Sequence, residues 1–199
     1  MCDAAAARRR RRRGYTAVEV LIAMTVMSIG AAAVISMQRA SVMGNLDARK
    51  SDIANTIART WVERLQRDAM QWTQPGPANP TGNNLANALV LSDALTQGNW
   101  IQPNEYLATW GWSAGFDILG RDIPTSDALS GAIFCTNVRL TWLTTAQDLI
   151  HADVRVVWAR GIATTTAAQG PCTLVASANP DTTRFQAIYL TTALRGNPQ

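Results

Sequence analysis

Arg8-Arg-Arg-Arg-Arg-Arg-Gly14-Tyr15-Thr16-Ala17-Val18-Glu19-Val20-Leu21-Ile22-Ala23-Met24 is the stretch on which the reading of this chain turns. A run of arginines leads directly into an apolar segment. From Ala17 to Met37 the only charge is Glu19. A run of that length crosses a hydrocarbon core of about 30 Å as one helix. Basic residues ahead of a span stay on the cytoplasmic side, so the rest of the chain is expected across the membrane. An arginine run alone would read as a patch for nucleic acid or another acidic surface. The span that follows almost at once argues against that here. Arg8–Arg13 less Asp3 give residues 1–14 a charge of +5; against +4 for the whole chain, the remainder carries −1. A chain without those residues is nearly neutral, and no nucleic-acid partner is expected.

Two kinds of processing compete at this end. In a secretory signal peptide, Val20–Ile29 would be the apolar region and Ala31-Ala32-Ala33 the small-residue cleavage site. A soluble domain would then be released after Ala33. Against this, Glu19 sits where a charge is costly, and the apolar run continues through the cleavage site. A twin-arginine signal fits less well, because the residues that usually follow the arginines are missing.

The alternative is a leader cut after Gly14. A basic leader, a glycine, four residues, a glutamate and a long apolar helix together resemble the type IV pilin superfamily. The resemblance implies that a dedicated prepilin peptidase cuts after Gly14 on the cytoplasmic face. Tyr15 becomes the N-methylated first residue, where the family normally has phenylalanine. Glu19 becomes the fifth mature residue, the family's glutamate. Ser36 stands where the family often carries proline. An unpaired carboxylate in lipid costs about 2.5–3.5 kcal/mol on insertion scales. Cleavage creates an amine on Tyr15. Glu19 of an incoming subunit is expected to neutralise the Tyr15 amine of a neighbour in the filament, a pairing strengthened by the low dielectric. Glu19 and Tyr15 are thus the expected docking residues.

Beyond the span, Thr16 to Gln71 holds no proline. As one helix it would extend about 84 Å; two helices broken near Gly44 are the other reading. Past Arg39 the pattern becomes amphipathic, with Ile53, Ile57, Trp61 and Leu65 on one face. Pro75, Pro77 and Pro80 end the helix. The expected segments are a leader at 1–14, a span at 15–38, an amphipathic half-helix at 39–73, a connecting region at 74–114 and a sheet region at 115–199. Within the connection, Leu91–Leu95 reads as a helical turn, and Trp110-Gly-Trp112 as core or contact surface. Ile133–Leu143 and Leu149–Trp158 alternate like strands, Phe185–Thr192 is a third candidate rich in β-branched and aromatic residues, and Phe116–Leu119 is a fourth. Thr144–Asp148 suits a hairpin loop. The expected fold is α+β, an antiparallel sheet packed on the amphipathic half of the helix. The pilin resemblance implies the same.

Cys2 lies in the leader. Cys135 and Cys172 could form one disulfide, which needs an oxidising compartment such as the periplasm; two buried thiols are the alternative. The disulfide would tie a surface loop, Ala163–Pro180, to the strand carrying Cys135. No catalytic, metal or cofactor site is expected. His151 stands alone on the polar side of a strand, Asp117 and Asp122 are too sparse for a calcium loop, and proline blocks glycosylation at Asn79-Pro80-Thr81.

Major pilins, minor pilins and the pseudopilins of type II secretion share this N-terminal signature. Glu19-Val-Leu-Ile-Ala, Ser28-Ile-Gly30, Gln38 and the strands Val138–Trp142 and Val154–Trp158 are similar to the PilV type of minor pilin. That resemblance implies a membrane-held subunit with a periplasmic C-terminal domain, which later moves to the pilus tip. The implied partners are other minor pilins, the major pilin, a tip adhesin of the PilY family and the inner-membrane assembly platform. The complex would prime pilus assembly and support adhesion and twitching motility.

Overall fold

The structure is a computed structural model of the whole chain, described for residues 14–74, 84–103, 112–123, 131–160, 172 and 180–197. One helix, α1, runs Ala17–Ala69. It passes Gly30 and Gly44 without a backbone break, so the two-helix reading is set aside. After it come a 3-10 turn at Leu85–Asn87, helix α2 at Leu89–Gln97, and strands β1 (Gly115–Phe116), β2 (Phe134–Trp142), β3 (Leu149–Ala159) and β4 (Phe185–Arg195). The strands form one antiparallel sheet in the order β1-β2-β3-β4. The architecture is α+β and pilin-like. The chain divides into two compact units, Met1–Gly44 and Asn45–Gln199.

In the second unit, α1 buries Ala54, Ile57, Ala58, Trp61, Leu65 and Ala69. The spacing of three and four residues puts them on one helical face. The inner sheet face answers with Phe134, Val138 and Leu140 from β2 and Ile150, Ala152, Val154, Val156 and Trp158 from β3. Each fully buried aliphatic side chain here contributes about 1.5–3 kcal/mol. From β4, Ile188, Leu190 and Leu194 join the same face.

Three expectations need correction. Phe116–Leu119 is not a strand throughout. The strand stops at Phe116, because the Asp117 Oδ1 accepts the N–H groups of both Leu119 and Arg121. Gly120 then turns with φ +76°, and a Cβ there would lie 3.0 Å from Ile53 Cγ2. The helical turn at Leu91–Leu95 is a full helix, ended by Gly98 in the left-handed conformation at φ 64°. The third strand continues past Thr192 to Arg195. Pro75, Pro77, Pro80, the Asn79–Thr81 triplet, Trp110 and most of Ala163–Pro180 lie outside the described residues, as does the leader before Gly14.

Two long-range ties position α2 and the end of β4. Buried Asp68, near the end of α1, accepts the Leu91 N–H through Oδ2 at 3.0 Å. Leu91 is in the first turn of α2, where backbone donors have no helical acceptor. Asp68→Ala is expected to cost about 1–3 kcal/mol, the penalty of a buried donor left unpaired. Equilibrium urea unfolding of the detergent-solubilised chain measures it, and no loss of stability would refute the role. At the other end, Asn197 donates its N–H to Trp72 O at 2.8 Å and accepts from Gln74 N at 3.0 Å. A Cβ on Gly196 would meet the Trp72 ring at 2.7 Å, so only glycine permits this approach.

Cys135 on β2 is joined to Cys172, with Cα atoms 5.1 Å apart and a sequence separation of 37. Both are buried with Ala114 and Ala132. On the chain-entropy treatment, closing such a loop contributes about 2–4 kcal/mol. The Cys135→Ser, Cys172→Ser pair is therefore expected to lower the unfolding free energy by about that amount. A loss well under 1 kcal/mol would show that the bond constrains little.

The outer sheet face is not simply solvated. Asn137 and Arg155 are fully buried there. Trp100 lies over the Arg155 guanidinium at 4.4 Å and over that of Arg139 at 4.9 Å. Burial pulls the Arg155 pKa below its ordinary value, against a charge interaction and a hydrogen bond with Tyr189. His151 is partly exposed on this face, 3.7 Å from the carboxylate of Asp153.

Candidate functional site

The candidate site is the head of α1. Gly14, Tyr15 and Thr16 precede the helix in non-helical conformation. Thr16 accepts the Glu19 N–H through Oγ1 at 3.3 Å, and its carbonyl accepts the Val20 N–H at 3.2 Å. These are the contacts of an N-cap residue and the first helical bond. Thr16-Ala-Val-Glu19 is a capping-box sequence. It explains why the helix starts at Ala17, two residues after Tyr15. Thr16 is a positioning residue that its T-x-x-E spacing marks in the sequence. Glu19 sits in the first turn, where the helix dipole favours a negative charge.

The six residues Tyr15, Glu19, Val20, Ala23, Met24 and Met27 lie along one open face of the first turns. The expected processing and docking residues Gly14, Tyr15 and Glu19 are thus adjacent, and Tyr15 and Glu19 share a face. Cys135 and Cys172 lie in the other unit.

The apolar half of α1 has no core of its own. Tyr15 is 81 % exposed, Met27 77 % and Ile29 72 %. Among the described residues, this helix is the one long and apolar enough to cross a membrane, and none of its best window is buried within the chain. Such a surface is stable in lipid or against other apolar helices, not in water. Its hydroxyls are satisfied locally. Thr25 donates to Ile22 O at 2.8 Å, Ser28 to Met24 O at 2.8 Å and Ser36 to Ala33 O at 2.7 Å. Back-bonding of this kind leaves no hydroxyl unpaired in hydrocarbon. α1 continues through Ser36 without interruption. Glu19 remains as the single charge of the span.

A second cluster, in the domain, was not foreseen. Arg64 on α1 makes a two-pronged ion pair with Asp122, at 2.9 and 2.6 Å. Asp122 also accepts the Ser113 N–H at 3.0 Å. The guanidinium lies 5.0 Å from the Trp61 ring, 5.5 Å from Trp112 and 5.8 Å from Phe116. The arrangement clamps the 112–123 segment to the helix. It is a packing device, since its polar groups are turned on one another. Asp117 and Asp122 do not share a site: Asp117 holds its own turn and Asp122 holds Arg64. Among the described residues, no three His, Cys, Asp or Glu side chains gather as metal ligands.

Residues 9–35 match the family described as the prokaryotic N-terminal methylation motif. Among curated proteins and among solved structures, none matches this chain. The matched stretch contains Gly14, the capped helix start and Glu19. It indicates the type IV pilin or pseudopilin class, whose motif is structural rather than enzymatic. Together with the exposed apolar helix, it indicates membrane anchoring.

Proposed function

We propose that this chain is a minor pilin of a type IV pilus, of the PilV type, working in a complex that primes pilus assembly and remains at the tip. The observation that carries the reading is the order Gly14, Tyr15, Thr16 cap, Glu19 at the head of an exposed apolar helix. After cleavage, the Tyr15 amine and the Glu19 carboxylate lie one helical turn apart on the same face. In the membrane the carboxylate costs about 2.5–3.5 kcal/mol. A neighbouring subunit's Tyr15 amine offsets that cost in the fibre and sets the axial register. The likeness of Ser28-Ile-Gly30, Gln38 and the strand pair to PilV-type sequences supports a minor rather than a major subunit. On this reading the C-terminal domain folds in the periplasm, where the Cys135–Cys172 bond persists. Its partners are other minor pilins, the major pilin, a PilY-family tip adhesin, the prepilin peptidase and the assembly platform. In adhesion and twitching the subunit acts through that tip complex.

The pseudopilin reading rests on the same motif. Release of a soluble domain after Ala33 is disfavoured, because α1 runs through Ala31–Ala33 without interruption.

Mass spectrometry of sheared, purified pili tests the proposal. The expected tryptic peptide runs from Tyr15 to Arg39 with one N-terminal methyl group, at low abundance beside a dominant pilin. A peptide beginning at Gly14 would mean that no cleavage occurred. The methylated peptide confined to inner membranes would favour a pseudopilin. A soluble form beginning at Val34 would overturn the class.

A further inference from the structure

β4 is an edge strand among the described residues. Which of its backbone groups point outward follows from the hydrogen bonds at its neighbours. Leu149 O accepts from Leu143 N, so the odd-numbered residues of β3 face β2. Arg160 N donates to Arg184 O, so the even-numbered residues of β3 and β4 face each other. In an antiparallel ladder the alternation is strict. The N–H and C=O groups of Ala187, Tyr189, Thr191 and Ala193 therefore point away from the sheet. Among the described residues, none of them has a backbone partner.

This edge lacks the usual protections. Its pairing with β3 runs from Phe185 to Arg195 in one register, without a bulge. It contains no proline and no lysine. Natural edges of this length are normally blunted by such devices or covered. At the far end the chain covers the edge itself, where Thr73 forms a parallel bridge with Asn197. At the near end, a groove of about 680 Å³ runs along Phe185–Tyr189, walled by Trp158, Arg160, Pro180 and Ser51 of α1. The open stretch between is long enough for a short extended segment.

We propose that β4 receives an extended segment of a different protein as a fifth strand, and that this segment is apolar at alternate positions and acidic at its ends. Backbone bonds to the four outward residues supply affinity, and the groove takes one apolar side chain. The charges select the ends. Arg160 and Arg184 flank one end of the strand, beside Asp181, and Arg195 the other, while midway Asp153 is held by Arg139 and the Thr191 hydroxyl. A second copy of this chain, paired antiparallel through β4 with Ala187 opposite Ala193, would bring Arg195 beside Arg184 of its partner. That repulsion argues for an acidic segment instead.

The test uses the full chain in detergent, with residue-level amide exchange followed by NMR. The probe is acetyl-Glu-Val-Thr-Val-Thr-Val-Glu-amide in large excess, with the lysine-ended peptide of the same core as control. The acidic peptide is expected to slow exchange at Ala187, Tyr189, Thr191 and Ala193 by about tenfold or more. Gln186, Ile188, Leu190 and Thr192, already bonded to β3, should not change. The lysine-ended peptide should have little effect. Ala187→Pro and Ala193→Pro each remove one outward N–H, a change an edge strand tolerates, and each should abolish the response while the inward amides stay protected. If either proline variant unfolds, Arg184→Glu with Arg195→Glu serves in its place and should reverse the preference between the peptides. No slowing with the acidic peptide overturns the proposal, as does equal slowing by both peptides. Protection of the outward amides without peptide also overturns it: if concentration-dependent, a second copy covers the edge, and if not, the chain's own remaining residues do. The assay involves no filament, so its failure leaves the minor-pilin proposal standing, and the reverse.

Discussion

Glu19→Ala is expected to leave cleavage after Gly14 and methylation of Tyr15 intact while reducing the chain recovered in sheared filaments by about tenfold or more, the equivalent of 1.4 kcal/mol. Two effects act in the same direction. In the membrane, removing the carboxylate relieves the cost of an unpaired charge in lipid, which stabilises the stored subunit. In the fibre, it leaves a neighbour's Tyr15 amine without its counter-charge, and an uncompensated charge at low dielectric is expensive. Both shift the balance toward the membrane pool. The helix itself should persist, because Thr16 still caps it through its own carbonyl and hydroxyl. Glu19→Gln keeps the shape and removes the charge, so it should fail like alanine. Comparing filament and membrane fractions by quantitative mass spectrometry decides the matter. Normal filament recovery of both variants would remove the pairing mechanism.

Trp61→Ala is expected to destabilise the domain by about 3–5 kcal/mol, the range for deleting a large buried aromatic. Trp61 is fully buried at the centre of the face that α1 turns to the sheet. It packs edge-on against Trp112 at 6.2 Å and lies under the Arg64 guanidinium. Alanine therefore opens a cavity and also strips one wall from the Arg64–Asp122 ion pair. Trp61→Phe separates the two contributions. It keeps a ring, and it removes an indole N–H that has no acceptor among the described residues. Its cost should be clearly smaller than that of alanine. Urea unfolding of the full chain in detergent reads both. A loss under about 1 kcal/mol for alanine would mean that the helix and sheet do not depend on this contact.

Much of this was legible along the chain because the signals are local. The arginine run, Gly14, Tyr15 and Glu19 lie within a dozen residues, and each is read from its position relative to the next. The span is a matter of length and apolarity. The stripe Ile53, Ile57, Trp61, Leu65 and the alternation in β2 and β3 record which face is turned from water. The early end of the strand at Phe116 has a local cause as well: Asp117 and Gly120 are turn residues within an apolar stretch.

What only the tertiary structure decided are the pairings between distant residues. Arg64 meets Asp122 across 58 positions, and Asp68 caps α2 across 23. Trp100 covers a polar sheet face that alternation alone assigns to solvent. Among the described residues, the strand order leaves β4 at an edge. Periodicity states that a surface must be covered, since burying it is favourable whatever covers it. It does not state by what, because hydrophobic burial is non-directional. The choice of partner is made by hydrogen-bond geometry, charge and fit, which come into being when the chain has closed on itself.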